Sequence, residues 1–259
     1  MEEPQATITI LGSGTAVPSL ARSSCSVLLR FSGHNLLFDM GTGTIRRLLE
    51  AGCSHKDVTH VFFSHLHTDH TGEFPSFLFA CRAPTGHGRD APFAVLAGKG
   101  FLDFYNSLKR AWGAWVDLDE SLMPVVELST KGPDSVDFDG FRVDSLPVEH
   151  TPQSVAFRVT IPGGKSMVYT GDTDECDAVV DIARGADVLI TEAALPDELR
   201  VPGHLSPSVA GALATRAGVG KLVLTHFYPE CEGVDVAAQC RKTWDGPLVL
   251  ATDLLEIIL

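Results

Sequence analysis

Three histidines and one aspartate fall within six residues at His65-Leu66-His67-Thr68-Asp69-His70. Neutral imidazoles and carboxylates are the side chains that zinc and other first-row divalent ions take as ligands. Four donors from so short a stretch exceed what one tetrahedral ion normally takes from a single segment. The spacing therefore predicts two ions held side by side, with further ligands from elsewhere in the chain. A loop suits this arrangement. A strand would send alternate side chains to opposite faces, and a helix would turn His65 and His67 apart by roughly 200°. The apolar run Val61-Phe62-Phe63 just ahead of the motif predicts a buried strand that ends where the loop begins.

The same construction recurs at three other places. His150 follows an apolar stretch over 141–148, Asp172 follows Met167-Val168-Tyr169-Thr170-Gly171, and His226 follows Lys221-Leu222-Val223-Leu224-Thr225. Four strand ends that each deliver an imidazole or a carboxylate are what a metal site at a sheet edge requires. His34, His55, His60 and His87 lack that context and are expected to be surface or core residues.

The elements needed to position these ends can be read along the chain. Strands are expected at 6–11, 58–64, 93–97, 187–191, 222–225 and 248–251, the last of the series. Hairpins are expected over 25–39, around Gly33-His34-Asn35, and over 135–148, turning at Asp139-Gly140. A third spans 155–170 around Pro162-Gly163-Gly164. Helical spacing covers 44–51, 73–82, 101–112 and 208–217, with Gly52 and Gly218 as stops for the first and last. Mixed strands with helices outside them predict an α/β fold of two sheets packed face to face and covered by helices. No linker divides the chain, so a single domain over 1–259 is expected.

Composition narrows the class of function. The chain has 259 residues, 44% of them hydrophobic, enough for a large core. It has no apolar run near the ~18–20 residues that span a bilayer. Met1-Glu2-Glu3-Pro4 is acidic and unlike a secretory signal, and the six cysteines are scattered without a Cys-x-x-Cys pair. A cytoplasmic protein with reduced thiols is expected, with no membrane partner. The net charge of −13 works against nucleic-acid binding, which draws on Lys and Arg to neutralise phosphates.

Taken in order, Ser64-His65-Leu66-His67-Thr68-Asp69-His70, His150, Gly171-Asp172-Thr173 and Thr225-His226-Phe227 resemble the metallo-β-lactamase superfamily over nearly the whole chain. Leu11-Gly12-Ser13-Gly14-Thr15, Leu37-Phe38-Asp39-Met40-Gly41, Thr191-Glu192-Ala193 and Gly203-His204-Leu205-Ser206 are similar to its ribonuclease Z branch, the tRNA 3′-processing endonucleases. The resemblance implies the four-layer αββα sandwich and two divalent metal ions. The ions are usually zinc, and the mixed nitrogen and oxygen donors also suit manganese or iron. It implies that His65, His67 and His150 hold one ion, that Asp69, His70 and His226 hold the other, and that Asp172 bridges them. A water between the ions would then give up its proton near neutral pH and become the nucleophile, with Asp69 orienting it. By the same resemblance Glu192 and His204 assist departure of the leaving group, His204 as general acid and Glu192 orienting it. Asp39 would brace the metal loop without binding metal. A homodimer is also implied.

One family feature is missing. Ribonuclease Z carries a long flexible arm that grips tRNA between the counterparts of His150 and Asp172. Here only residues 151–171 lie between them, and the loop 16–22 has a single basic residue, Arg22. Together with the acidic balance, this argues against tRNA as substrate. The expected function is a metal-dependent phosphodiesterase acting on a small or cyclic phosphodiester or a nucleic-acid end. The alternatives are tRNA 3′-processing and hydrolysis of a lactone or thioester by the same metal pair. A β-lactamase would call for a cysteine ligand, and no cysteine stands in a matching position. A non-catalytic scaffold would not need all seven ligands. Trp112-Gly113-Ala114-Trp115 suits a base-stacking pocket or a dimer face.

Overall fold

The computed structural model describes residues 6–259, and its strands sort their side chains between two cores by simple alternation. The first half runs β1 (Thr7–Gly12), β2 (Ser26–Phe31), β3 (His34–Phe38), α1 (Thr44–Glu50), β4 (His60–Phe63), α2 (Thr68–Thr71), α3 (Phe74–Cys81), β5 (Ala94–Gly98), α4 (Phe101–Trp112) and β6 (Val125–Leu128). The second half runs β7 (Asp134–Phe138), β8 (Phe141–Pro147), β9 (Val155–Thr160), β10 (Ser166–Tyr169), α5 (Asp177–Ala183), β11 (Val188–Glu192), α6 (Pro207–Ala217), β12 (Leu222–Thr225), α7 (Val236–Cys240), β13 (Leu248–Leu250) and β14 (Leu255–Ile258). Val27, Leu29, Leu36, Phe38, Phe62 and Leu96 point between the sheets, where they meet Phe157, Val159, Met167 and Tyr169. Their neighbours Leu28, Leu37, Val61, Phe63, Val95 and Ala97 point the other way, onto Phe74, Phe77, Phe101 and Tyr105 of α3 and α4. Helices α5 and α6 cover the outer face of the second sheet. The result is the expected αββα sandwich.

The sheets have the orders β14-β1-β2-β3-β4-β5-β6 and β13-β12-β11-β10-β9-β8-β7. Each has an antiparallel half and a parallel half. In the first sheet β3, β4, β5 and β6 are parallel, and in the second so are β10, β11, β12 and β13. The three expected hairpins form, although the first turns more tightly than expected, so that His34 and Asn35 lie in β3 and pair with Phe31 and Arg30.

Several short elements escaped the periodicity. The strand at 248–251 is not the last. β14 follows it and pairs antiparallel with β1 in the other sheet. The crossing is anchored at Asp253, whose carboxylate accepts Ser13 N, Ser13 Oγ and Ser23 N at 2.7–3.0 Å. β6, α5 and α7 are four to seven residues long and give too little pattern to be read locally. All six cysteines are free, as expected. Among the described residues, no helix is long and apolar enough to cross a membrane.

His60 sits among aromatic rings, edge-on to Phe138 at 4.7 Å and to Phe141 at 5.0 Å. Burial, with His34 adding, lowers its pKa from 6.5 to about 4. Between these values the unfolded chain takes up a proton that the folded chain does not, so this group costs stability as pH falls from 6.5 towards 4. His60→Phe should therefore lose less of its Tm than the native protein between about pH 7 and pH 4.5. Equal losses in thermal melts across that range would contradict this.

Candidate active site

The direction of the strands brings the predicted residues to one edge. β10, β11 and β12 are neighbours and parallel, so Asp172, Glu192 and His226 emerge together at their carboxyl ends. β8 is antiparallel to β9, which is antiparallel to β10, so β8 runs with β10 and His150 joins them. β4 supplies His65 from the first sheet. Beyond it the motif is not a plain loop. His67 is the N-cap of α2, and Asp69 and His70 lie in that single helical turn. The backbone of the turn is tied down by the bond from Met40 N to His70 O, 2.6 Å. Loop and helix together aim His65 and His67 one way and Asp69 and His70 another.

The seven expected ligands converge into two adjacent groups, and Asp172 lies between them. One donor atom from each of His65, His67, His150 and Asp172 lies within 4.8 Å of the others, and the same holds for Asp69, His70 and His226. Asp172 stands between the groups with one oxygen facing each. Its Oδ1 is 3.2 Å from His70 Nε2 and 3.3 Å from His226 Nε2. Its Oδ2 is 3.8 Å from both His65 Nε2 and His150 Nε2.

The donors are poised for cations. His65 Nε2 and Asp172 Oδ1 are buried with no hydrogen-bond partner, a state that costs about 1–3 kcal/mol per group unless something else satisfies it. His150 Nε2 faces His67 Nδ1 at 3.1 Å, and His70 Nε2 faces His226 Nε2 at 3.4 Å. Three of the remaining ring nitrogens are committed elsewhere. His70 Nδ1 donates to Asp39 Oδ2 at 2.7 Å, and His150 Nδ1 donates to Gly203 O at 2.8 Å. Ser64 Oγ donates to Asp39 and so accepts from His65 Nδ1 at 3.1 Å. Each of these bonds leaves the Nε2 lone pair free for a metal. Burial also holds His65 and His150 below their ordinary pKa, the former well below, and keeps them neutral. Burial works against ionisation of Asp172, but the facing rings of His226 and His70 outweigh it and keep the carboxylate ionised. The donor set, the unsatisfied atoms and the fixed tautomers all fit a pair of divalent ions.

Asp39 takes the bracing place expected of it. Its carboxylate accepts Ser64 N and Ser64 Oγ, His70 Nδ1 and the Tyr169 hydroxyl, at 2.6–2.8 Å. Sequence reasoning did not find Tyr169, whose role is set by a contact 130 residues away. Asp39 and His226 both adopt positive φ, +56° and +59°. This conformation is uncommon for residues other than glycine and is held here by the surrounding contacts. At Gly171, φ is +59° and a Cβ would lie 2.3 Å from Ser64 Cβ. Only glycine lets the strand bearing Asp172 pass so close to the segment bearing His65.

Glu192 and His204 lie beside the cluster. His204 Nδ1 is 3.0 Å from both Glu192 oxygens, and Thr173 N donates to Glu192 Oε1 at 2.7 Å. Burial opposes a proton on His204. The bond and charge of Glu192 outweigh it, with Asp172 and Asp69 adding, and raise the pKa to about 9. The His204 ring centroid is 4.9 Å from that of His150 and 5.8 Å from that of His226. Its Nε2 has no hydrogen-bond partner among the described residues.

Two surface features bear on the substrate. Arg22 is not free to reach a ligand. It donates to Ser13 Oγ and Ala251 O at 2.6 and 2.8 Å and covers the Phe227 ring. Trp112 and Trp115 are exposed and, with Phe79, Pro75, Ser76 and Gly72, line a groove of about 350 Å³ beside the helices that follow the metal motif.

The β-lactamase superfamily domain matches residues 34–227. A ribonuclease Z of Mycobacterium bovis is 31% identical, covering 86% of each chain. An uncharacterized protein of Mycobacterium tuberculosis is 32% identical over 96% of this chain and 92% of its own. The short form of human tRNase Z superposes with a TM-score of 0.77 at 26% identity, covering 97% of this chain and 98% of that one. Such relatives, a ligand cluster at one edge of an αββα sandwich and only the β9–β10 hairpin between His150 and Asp172 lead to one conclusion: the chain belongs to the β-lactamase superfamily, as a metal-dependent hydrolase of its ribonuclease Z-like branch that lacks the arm.

Proposed function

We propose that this hydrolase is a phosphodiesterase acting on a small or cyclic phosphodiester or on a nucleic-acid end. His65, His67 and His150 hold one divalent ion, Asp69, His70 and His226 hold the second, and Asp172 lies between them. When bound, such a pair supplies Lewis-acid polarisation of a phosphoryl group and an activated water nucleophile. Zinc is the first candidate, with manganese and iron also compatible with these donors.

The observation that carries the reading is the pairing of His204 Nδ1 with both oxygens of Glu192 at 3.0 Å. Glu192 holds the imidazolium in place, and His204 delivers its Nε2 proton to the departing oxygen. A proton donor of this kind matters most for an alkoxide such as a ribose oxygen, which is a poor leaving group. Burial works against ionisation of Asp69, but His226, 3.5 Å away, and His70 outweigh it, and the carboxylate orients the attacking water. The engaged Arg22 and the short hairpin in place of an arm support a small substrate over tRNA.

The test is a parallel screen with bis(p-nitrophenyl) phosphate, a cyclic nucleotide, a lactone and a precursor tRNA. Turnover of the two phosphodiesters with little on the lactone is expected. Preferred cleavage of the precursor tRNA would overturn the substrate class, and preferred lactone hydrolysis would overturn the reaction class.

A further inference from the structure

Two residues after Asp172, the side chain of Asp174 joins three loops of the site. Its Oδ2 accepts the Gly203 N–H at 2.8 Å, and its Oδ1 accepts Arg200 Nη2 at 2.5 Å and Glu175 N at 2.8 Å. Its own N–H donates to Glu149 O at 2.7 Å, next to His150. Gly203 then passes the constraint on, because its carbonyl accepts His150 Nδ1 at 2.8 Å and His204 follows it directly. Arg200 Nε also reaches His204 O at 3.4 Å. The arrangement depends on glycine at 203, where φ is +86°, a backbone conformation that other residues rarely adopt.

We infer that Asp174 is a positioning residue whose carboxylate locks the 200–204 segment onto the loops bearing His150 and Asp172. Through the Gly203 N–H it sets the height of His204 over the cluster. Through the Gly203 carbonyl it holds the His150 ring so that Nε2, not Nδ1, faces the metal donors. Arg200 stiffens the clamp by neutralising the carboxylate. The catalytic part of this inference rests on the general-acid reading of His204, whereas the structural part does not.

Asp174→Ala and Asp174→Asn, with His204→Ala in parallel, test it in two ways. The first readout is amide hydrogen exchange over the peptide containing Gly203, measured with and without metal. In Asp174→Ala its protection should fall at least about 10-fold, while Asp174→Asn, which keeps an acceptor for the Gly203 N–H, should retain most of it. The second is turnover of two phosphodiesters that differ in leaving group. Asp174→Ala should lower kcat about 10–100-fold for an alkyl ester, with KM nearly unchanged, and only about 3-fold for a p-nitrophenyl ester. Native exchange at Gly203 in Asp174→Ala would overturn the clamp. Equal loss on both esters with bound metal retained would overturn the positioning of His204. If His204→Ala itself shows no dependence on leaving group, the general-acid reading fails, and the exchange result still decides the clamp.

Discussion

His204→Ala should lower kcat about 10²–10⁴-fold on a phosphodiester with an alkyl leaving group, the range general acids contribute. On bis(p-nitrophenyl) phosphate it should lower it less than about 10-fold, because p-nitrophenolate leaves without needing a proton. Geometry fixes the proton's position before electrostatics does. Glu192 takes the Nδ1 side of the ring at 3.0 Å through both oxygens, so any proton available to substrate is on Nε2. Glu192, buried and also accepting Thr173 N, has no freedom to follow substrate itself. Glu192→Gln should reproduce part of the same split, since a neutral amide still holds the ring and no longer favours the imidazolium. Steady-state kinetics on the two esters check both variants. Undiminished turnover of the alkyl ester by His204→Ala would remove the assignment.

Asp69→Ala should abolish turnover on every substrate, good leaving group or poor. Asp69 Oδ2 lies 3.5 Å from His226 Nε2 and 3.9 Å from His70 Nε2, inside the group proposed for the second ion. Removing it takes away both an oxygen donor and the group that orients the nucleophile. Losing about 4 kcal/mol of transition-state stabilisation is a ~10³-fold loss in rate. The contrast with His204→Ala is the useful part. One variant should be blind to the leaving group and the other governed by it, a difference that simple misfolding would not produce.

Much of the site was legible because its signals are local. The histidine motif, the apolar run before each ligand and the Gly171-Asp172-Thr173 turn all lie within a few residues of the chemistry they serve. The resemblance then supplied the expected order of ligands and the roles proposed for Glu192 and His204. The elements that went unread are those decided by tertiary contact. α2 is a single turn of Thr, Asp, His and Thr, too short to form alone, and it is held by Met40, Asp39 and the metal-site neighbours. β14 is four residues that become a strand only by pairing with β1, at the opposite end of the sequence. Tyr169 looks like one more apolar strand residue until its hydroxyl is found on Asp39. Asp174 looks like a surface carboxylate in an acidic chain until Gly203 and Arg200 are seen to meet at it.

Each of these expected results needs an edge of the sandwich built for two cations, with Asp172 facing both groups of proposed ligands. Elemental analysis of the purified protein, dialysed after saturation with zinc, tests it directly. Close to two equivalents of metal per chain are expected, falling in Asp172→Ala. Less than one equivalent in the native protein under those conditions would contradict the account.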